Sequence, residues 1–120
     1  MDAQVIKFDE STEYYFEEGC HIVELANTAA DEAVSIARAR VEPGQTTRWH
    51  ALAETIERYV ILAGEGRVEI GELPPRQVAH LDVVQIPAGV RQRITNTGKS
   101  DLVFLAICSP RFKREDYQKL

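Results

Sequence analysis

Six residues near the middle of the chain set what chemistry it could do: Arg48, His50, Leu52, Glu57, Tyr59 and Gln92. Residues two apart on a strand share a face, so Arg48, His50 and Leu52 point one way. Glu57, Tyr59 and Ile61 form a second such row, and Gln92, Ile94 and Asn96 a third. If the three rows meet inside a barrel, its mouth holds an imidazole, a carboxylate, an amide and a phenol, walled by leucine and isoleucine. A mostly apolar cavity with a few convergent polar groups is how small molecules are bound. His50 and Glu57 are the candidate catalytic pair, because burial tunes such a couple for general acid and base work. The same two residues also read as a buried pair in which each satisfies the other. Arg48, Leu52, Tyr59 and Gln92 are the candidate pocket residues. Arg48 could reach an anionic ligand, or pair with Glu54 or Glu57.

The rows need strands to hold them, and the sequence supplies short β-rich runs between turn signals. Strands are expected at Gln4–Phe8, His21–Leu25, Val34–Val41, Thr46–Leu52, Glu57–Leu62, Arg67–Gly71, Val83–Ile86, Arg91–Asn96 and Leu102–Cys108. Glu42-Pro43-Gly44, Gly64-Glu65-Gly66, Pro74-Pro75, Pro87-Ala88-Gly89 and Asn96-Thr97-Gly98 punctuate them. Alternation is clear in Val34–Arg40, where Val34, Ile36, Arg38 and Arg40 oppose Ser35, Ala37 and Ala39. Gly64-Glu65-Gly66 reads as a tight hairpin that needs left-handed backbone. A short surface helix is expected over Lys113–Lys119, and Glu10–Gly19 is acidic, aromatic and unassigned. Many strands without alternating helices give an all-β sandwich or closed barrel.

The spacing of these residues resembles the cupin superfamily. Its first motif is matched by Gly44, His50, Glu57 and Gly64, and its second by Pro87, Gly89 and Asn96, with Leu81 where a glycine is usual. The resemblance implies a double-stranded β-helix, or jelly-roll barrel, with a short C-terminal helical tail. It implies one cupin domain over residues 1–120, motif 1 at 44–64 and motif 2 at 81–96, and it points to small single-domain bacterial members. The family's metal ligands are two histidines and a glutamate from the first motif and a histidine from the second. Those positions here are His50, Leu52, Glu57 and Gln92, so two imidazoles are missing.

His50, Glu57 and Gln92 are thus the candidate metal donors for one divalent transition ion such as zinc, manganese, iron or nickel. An amide oxygen is a weak third ligand, and His21 and His80 are the only other histidines that could replace it. Two functions stay open. One is a metal-assisted or metal-free isomerase or epimerase acting on a small polar or anionic molecule. The other is a non-catalytic binding or sensor module that has lost the metal site. The resemblance also implies a homodimer, with Glu10–Gly19 a candidate contact. Trp49 faces opposite to His50 on the strand, which puts it outside the barrel against the N-terminal segment or a second subunit.

Composition narrows the field. Hydrophobic residues make up 44% of the 120, enough for a core without a disulfide or structural metal. A net charge of −5 argues against nucleic acid as a partner. No apolar run approaches the roughly 20 residues of a spanning helix, and the N-terminus lacks the basic start of a signal peptide. Cys20 and Cys108 sit in apolar runs as small hydrophobes, and the expected location is the cytoplasm.

Overall fold

Strands form where β-branched and aromatic residues alternate with polar ones, and they stop at the glycine and proline turns. A computed structural model describes residues 1–120. Its strands are β1 (Tyr14–Phe16), β2 (Cys20–Ala26), β3 (Ser35–Val41), β4 (His50–Leu52), β5 (Ile56–Ala63) and β6 (Gly66–Ile70). The remainder are β7 (Arg76–Val78), β8 (Val83–Ile86), β9 (Gln92–Asn96), β10 (Leu102–Ser109) and β11 (Tyr117–Lys119). Two antiparallel sheets result, ordered β1-β2-β3-β10-β5-β8 and β11-β4-β9-β6-β7.

The inward rows of the two sheets meet in one core that includes Ile61, Ile86, Ile94, Leu102 and Phe104. Burying a side chain of this size stabilises by about 1.5–3 kcal/mol. On β3 the small residues Ser35, Ala37 and Ala39 face inward, while Arg38 and Arg40 face outward and both bond Glu13. Small side chains on β3 leave space inside the barrel, and that space becomes the cavity described below.

Several expectations change. Gln4–Phe8 is not a strand, because no neighbour pairs with it and Val5 is 83% exposed. The strand expected over Thr46–Leu52 shrinks to His50–Leu52 with one bridge, Thr46 to Thr95. The helix expected over Lys113–Lys119 is a single 3-10 turn, Arg114–Asp116, followed by β11. β11 forms because its backbone pairs with β4 and Tyr117 packs on Phe16 and His50. That pairing makes the chain end part of the barrel instead of a surface tail.

Two turn positions show what the backbone demands. Gly64 has φ 83°, and a Cβ there would lie 2.6 Å from the Asp101 carbonyl oxygen, so both conformation and space require glycine. Leu81 occupies the other position with φ 69°, a left-handed conformation that disfavours a leucine.

Candidate functional site

Three of the expected rows do converge. His50, Glu57, Tyr59 and Gln92 are all buried inside the barrel, at 2%, 8%, 4% and 1% exposure. His50 on β4 lies directly opposite Gln92 on β9. The Tyr59 hydroxyl donates to Gln92 Oε1, and Gln92 Nε2 donates to Glu57 Oε1 at 2.7 Å. The Cys108 thiol faces the second Glu57 oxygen at 3.8 Å. Each polar group in this chain is therefore satisfied by its neighbour, and the amide's orientation follows from a carboxylate that can only accept.

His50 and Glu57 do not bond each other, contrary to the expected pair. The partner of His50 is Glu18, whose Oε2 lies 3.2 Å from Nε2. The other ring nitrogen, Nδ1, donates to the Arg48 carbonyl oxygen at 2.7 Å. That bond leaves Nε2 with the lone pair in the neutral ring, so a single proton lies between Nε2 and Glu18. Tyr117 stacks on the imidazole, ring centroids 5.2 Å apart and planes 21° from parallel, and fixes its tilt.

Glu18 sits in the turn between β1 and β2. The Gly19 N–H closes that turn on the Phe16 carbonyl at 2.9 Å, and the Glu18 carbonyl accepts the Arg48 N–H at 2.7 Å. Gly19 takes φ 102°, which ends the turn and lets Glu18 enter the barrel while Cys20 resumes the inward row. The available signal was the two-residue spacing Phe16, Glu18, Cys20, Ile22, which continues one inward face through an unassigned segment.

Burial governs the ionisation of the cluster. Removal from water raises the Glu18 carboxyl to about 7, and it raises Glu57 to about 7 with a further push from the Glu18 charge. Burial lowers the His50 imidazole, partly offset by its bond to the Arg48 carbonyl and by the Glu57 charge. The proton of the Glu18–His50 pair therefore rests on Glu18 near neutral pH. Two carboxyl groups that exchange protons around pH 7, one of them bonded to a neutral imidazole, can act as acid and base.

A cavity of about 50 Å³ lies against this cluster, lined by Glu18, Glu57 and Tyr59 at one end and by Tyr14, Glu24 and Phe112 at the other. Arg48 takes no part in it. Its position precedes β4, so its side chain is exposed and forms no ion pair with Glu54 or Glu57. Leu52 is buried, and its backbone carbonyl accepts the Gly89 N–H at 2.7 Å. His21 and His80 stay outside: His21 meets Glu42 at 3.2 Å, and His80 bonds the Leu62 carbonyl. Trp49 packs outside the barrel as expected, between the guanidinium groups of Arg91 and Arg93 at 4.5 and 4.4 Å.

The cupin-domain family model matches residues 37–108, well over half of the sequence and all of the site except Glu18 and Tyr117. The chain is a cupin. No protein of curated function matches it in sequence. Among solved structures, this cupin is similar to a predicted oxalate decarboxylase from Thermotoga maritima, at 26% identity and TM-score 0.79, over 89% of this chain and 99% of the other. It is similar in fold to the Streptomyces nucleoside dehydratase Pac13, at 14% identity and TM-score 0.77, over 98% and 92% of the two chains. It also shares its fold with the capsular polysaccharide assembling protein CapF of Staphylococcus aureus, at 22% identity and TM-score 0.76, where the match covers 90% of this chain but 33% of that one.

The donors of this cupin do not fit the metal its family commonly holds. No three of its histidine, cysteine, aspartate and glutamate residues stand close enough to share an ion. Gln92, the third candidate donor, has its oxygen engaged by Tyr59 and directs its N–H at Glu57. A site of this kind requires three strong donors with open positions, and only His50 and Glu57 of the expected set are strong.

Proposed function

We propose that this cupin binds a small polar molecule in the Glu18–Glu57 cavity and moves protons on it without a metal. The observation that carries the reading is the Glu18–His50 contact inside the barrel, at 3.2 Å, with Glu57 facing the same cavity. In such a reaction one ionised carboxylate removes a carbon-bound hydrogen beside a carbonyl, and a protonated carboxyl gives its proton to the carbonyl oxygen. The first carboxyl then gives that proton to the neighbouring carbon of the enediol or enaminol (isomerisation) or back to the same carbon on its other face (epimerisation). The second recovers a proton from the adjacent O–H or N–H, so atoms balance and no redox partner is needed. Glu57 suits the base, since Gln92 Nε2 supports its charge, and Glu18 suits the acid. Isomerisation and epimerisation both fit this scheme. An anionic ligand loses support, because no lysine or arginine lines the cavity and Arg48 is exposed.

The test uses EDTA-treated protein in D2O with small α-hydroxy and α-amino carbonyl compounds, followed by proton NMR. Deuterium should enter carbon at least ten times faster than with Glu57→Gln, which removes the base. Equal rates for the two proteins would contradict catalysis. A non-catalytic module is the second reading, favoured by the Tyr59–Gln92–Glu57 chain, in which the polar groups bond one another. Ligand binding without any exchange would select it.

We further propose that the protein is a homodimer. Val5, Ile6 and Phe8 are 83%, 55% and 51% exposed along an extended N-terminal stretch, an apolar surface suited to a second copy. Light scattering should report twice the 13.5 kDa chain mass, and the chain mass itself after removal of residues 1–8.

A further inference from the structure

The groups that stand too far apart to share a metal ion surround a space large enough for something bigger. The 50 Å³ cavity is several times the roughly 10–15 Å³ that a single water needs, room for a compact ligand of a few heavy atoms. Its charged lining is of one sign: Glu18, Glu24 and Glu57, with no lysine, arginine or histidine. Five aromatic residues, Tyr14, Phe16, Tyr59, Phe104 and Phe112, line the space together with small residues such as Ala37 and Ala39. Aromatic faces attract cations through their quadrupole, and they do so most strongly where water is excluded.

The chain itself supplies an independent sign of that preference. The Arg114 guanidinium sits over the ring of Phe16, 5.1 Å from its centroid, and it forms no ion pair with any carboxylate. Phe16 is a wall of the cavity, and Arg114 borders a vestibule that shares Tyr14, Glu24 and Phe112 with it and is also lined by Arg111 and Lys113, both of which are paired with Glu32. A cation of the protein's own thus already occupies an aromatic face at the entrance.

We propose that the cavity selects a small organic cation, an ammonium ion with alkyl substituents, in preference to a neutral or anionic molecule of the same shape. The inference rests on the proposed function for the location of the site and adds the class of its ligand. Above the value of about 7 to which burial raises both carboxyls, Glu18 and Glu57 supply the negative charge, the aromatic residues supply contacts, and Arg114 competes at the entrance. A bare divalent ion is excluded by spacing, whereas an alkylammonium spreads its charge over a volume that the separate carboxylates can reach together.

Three probes of similar size separate charge from shape: tetramethylammonium, tert-butyl alcohol and pivalate. Binding is measured by calorimetry and NMR on the full chain at pH 8, above the value near 7 to which burial raises both carboxyls. Tetramethylammonium should bind at least ten times more tightly than the alcohol, and pivalate should not bind. Glu18→Gln and Glu57→Gln, nearly isosteric changes whose folding is checked by thermal melting, should each weaken the cation several-fold. Arg114→Gln, on the exposed rim, should tighten it. The wild-type protein gives a further readout, since saturating cation should lower the pH at which the buried carboxyls titrate. Equal affinity for cation and alcohol, or tighter binding of pivalate, would overturn the cation preference and leave the proton-transfer reading to its own exchange assay. Failure of all three probes to bind would overturn the cavity as a cation site.

Discussion

At Glu18 and Glu57, burial makes stability depend on pH. Each carboxyl has a folded value of about 7 against an ordinary 4.5, so the folded state binds these protons more tightly. Their contribution is present in full below pH 4.5 and is lost as pH rises to 7, beyond which it stays lost. By linkage the loss is on the order of a few kcal/mol. His50, lowered by burial, acts the other way, and its contribution is lost as pH falls below 6.5. With two groups against one, melting temperature should fall between pH 5 and 7.5. Glu57→Gln should flatten that fall and melt higher than wild type at pH 8. A wild-type melting temperature that rises over this range would contradict the assignment.

A second test at the residue scale concerns Leu81. Left-handed backbone costs an ordinary residue about 1–2 kcal/mol, and glycine offsets some of that gain by its freedom in the unfolded chain. Leu81→Gly should therefore stabilise by up to about 1 kcal/mol in urea unfolding. The side chain is 63% exposed, so little packing is lost. The sequence already marks this position as an odd one, because a turn glycine is replaced there. Glu18 was not legible in the same way, since its turn carries no motif and its partner lies 32 residues ahead at His50.

At the scale of elements, β11 is the piece that completes the site. It lies at the edge of the second sheet, pairs Tyr117 with Leu52, and brings the Tyr117 ring onto His50. The Tyr117 hydroxyl oxygen is buried and makes no hydrogen bond within the chain. Tyr117→Phe keeps the stacked ring and removes that unsatisfied group, so its melting temperature should equal or exceed wild type. Truncation after Asp116 removes the cover from β4, and the His50 imidazole should then titrate closer to its ordinary value in NMR. An unchanged His50 titration would show that β11 does not seal the site.

Most strands were readable from alternation and turns, and Val83–Ile86 and Leu102 onward fall where the pattern put them. The short strands β1, β7 and β11 were not, because three residues carry too little periodicity to reveal a strand. Gln4–Phe8 shows the converse: β-propensity without a partner strand does not make a strand.

At the scale of the whole molecule, a charged network on the outer face of β3 ties distant segments together. Glu13 accepts from Arg38 at 2.9 Å and from Arg40 at 2.6 Å, and Arg40 also reaches Asp101 at 3.1 Å. These links tie the N-terminal segment to β3 and to the start of β10. The groups are partly exposed, so Glu13→Ala should cost about 1 kcal/mol at low salt, and less in molar salt. The inner face has the opposite character, with carboxyl groups in an aromatic cavity and no cation among its lining. That division places the positive charge outside the barrel and leaves proton exchange to the interior.

The most direct measurement is a carbon-13 NMR titration of the Glu18 and Glu57 carboxyl groups, with and without one equivalent of zinc. Both should titrate near pH 7, in curves that zinc does not move, and His50→Gln should shift the Glu18 curve most. Titration of both near pH 4.5, or a stoichiometric shift on adding zinc, would contradict a metal-free acid–base cavity.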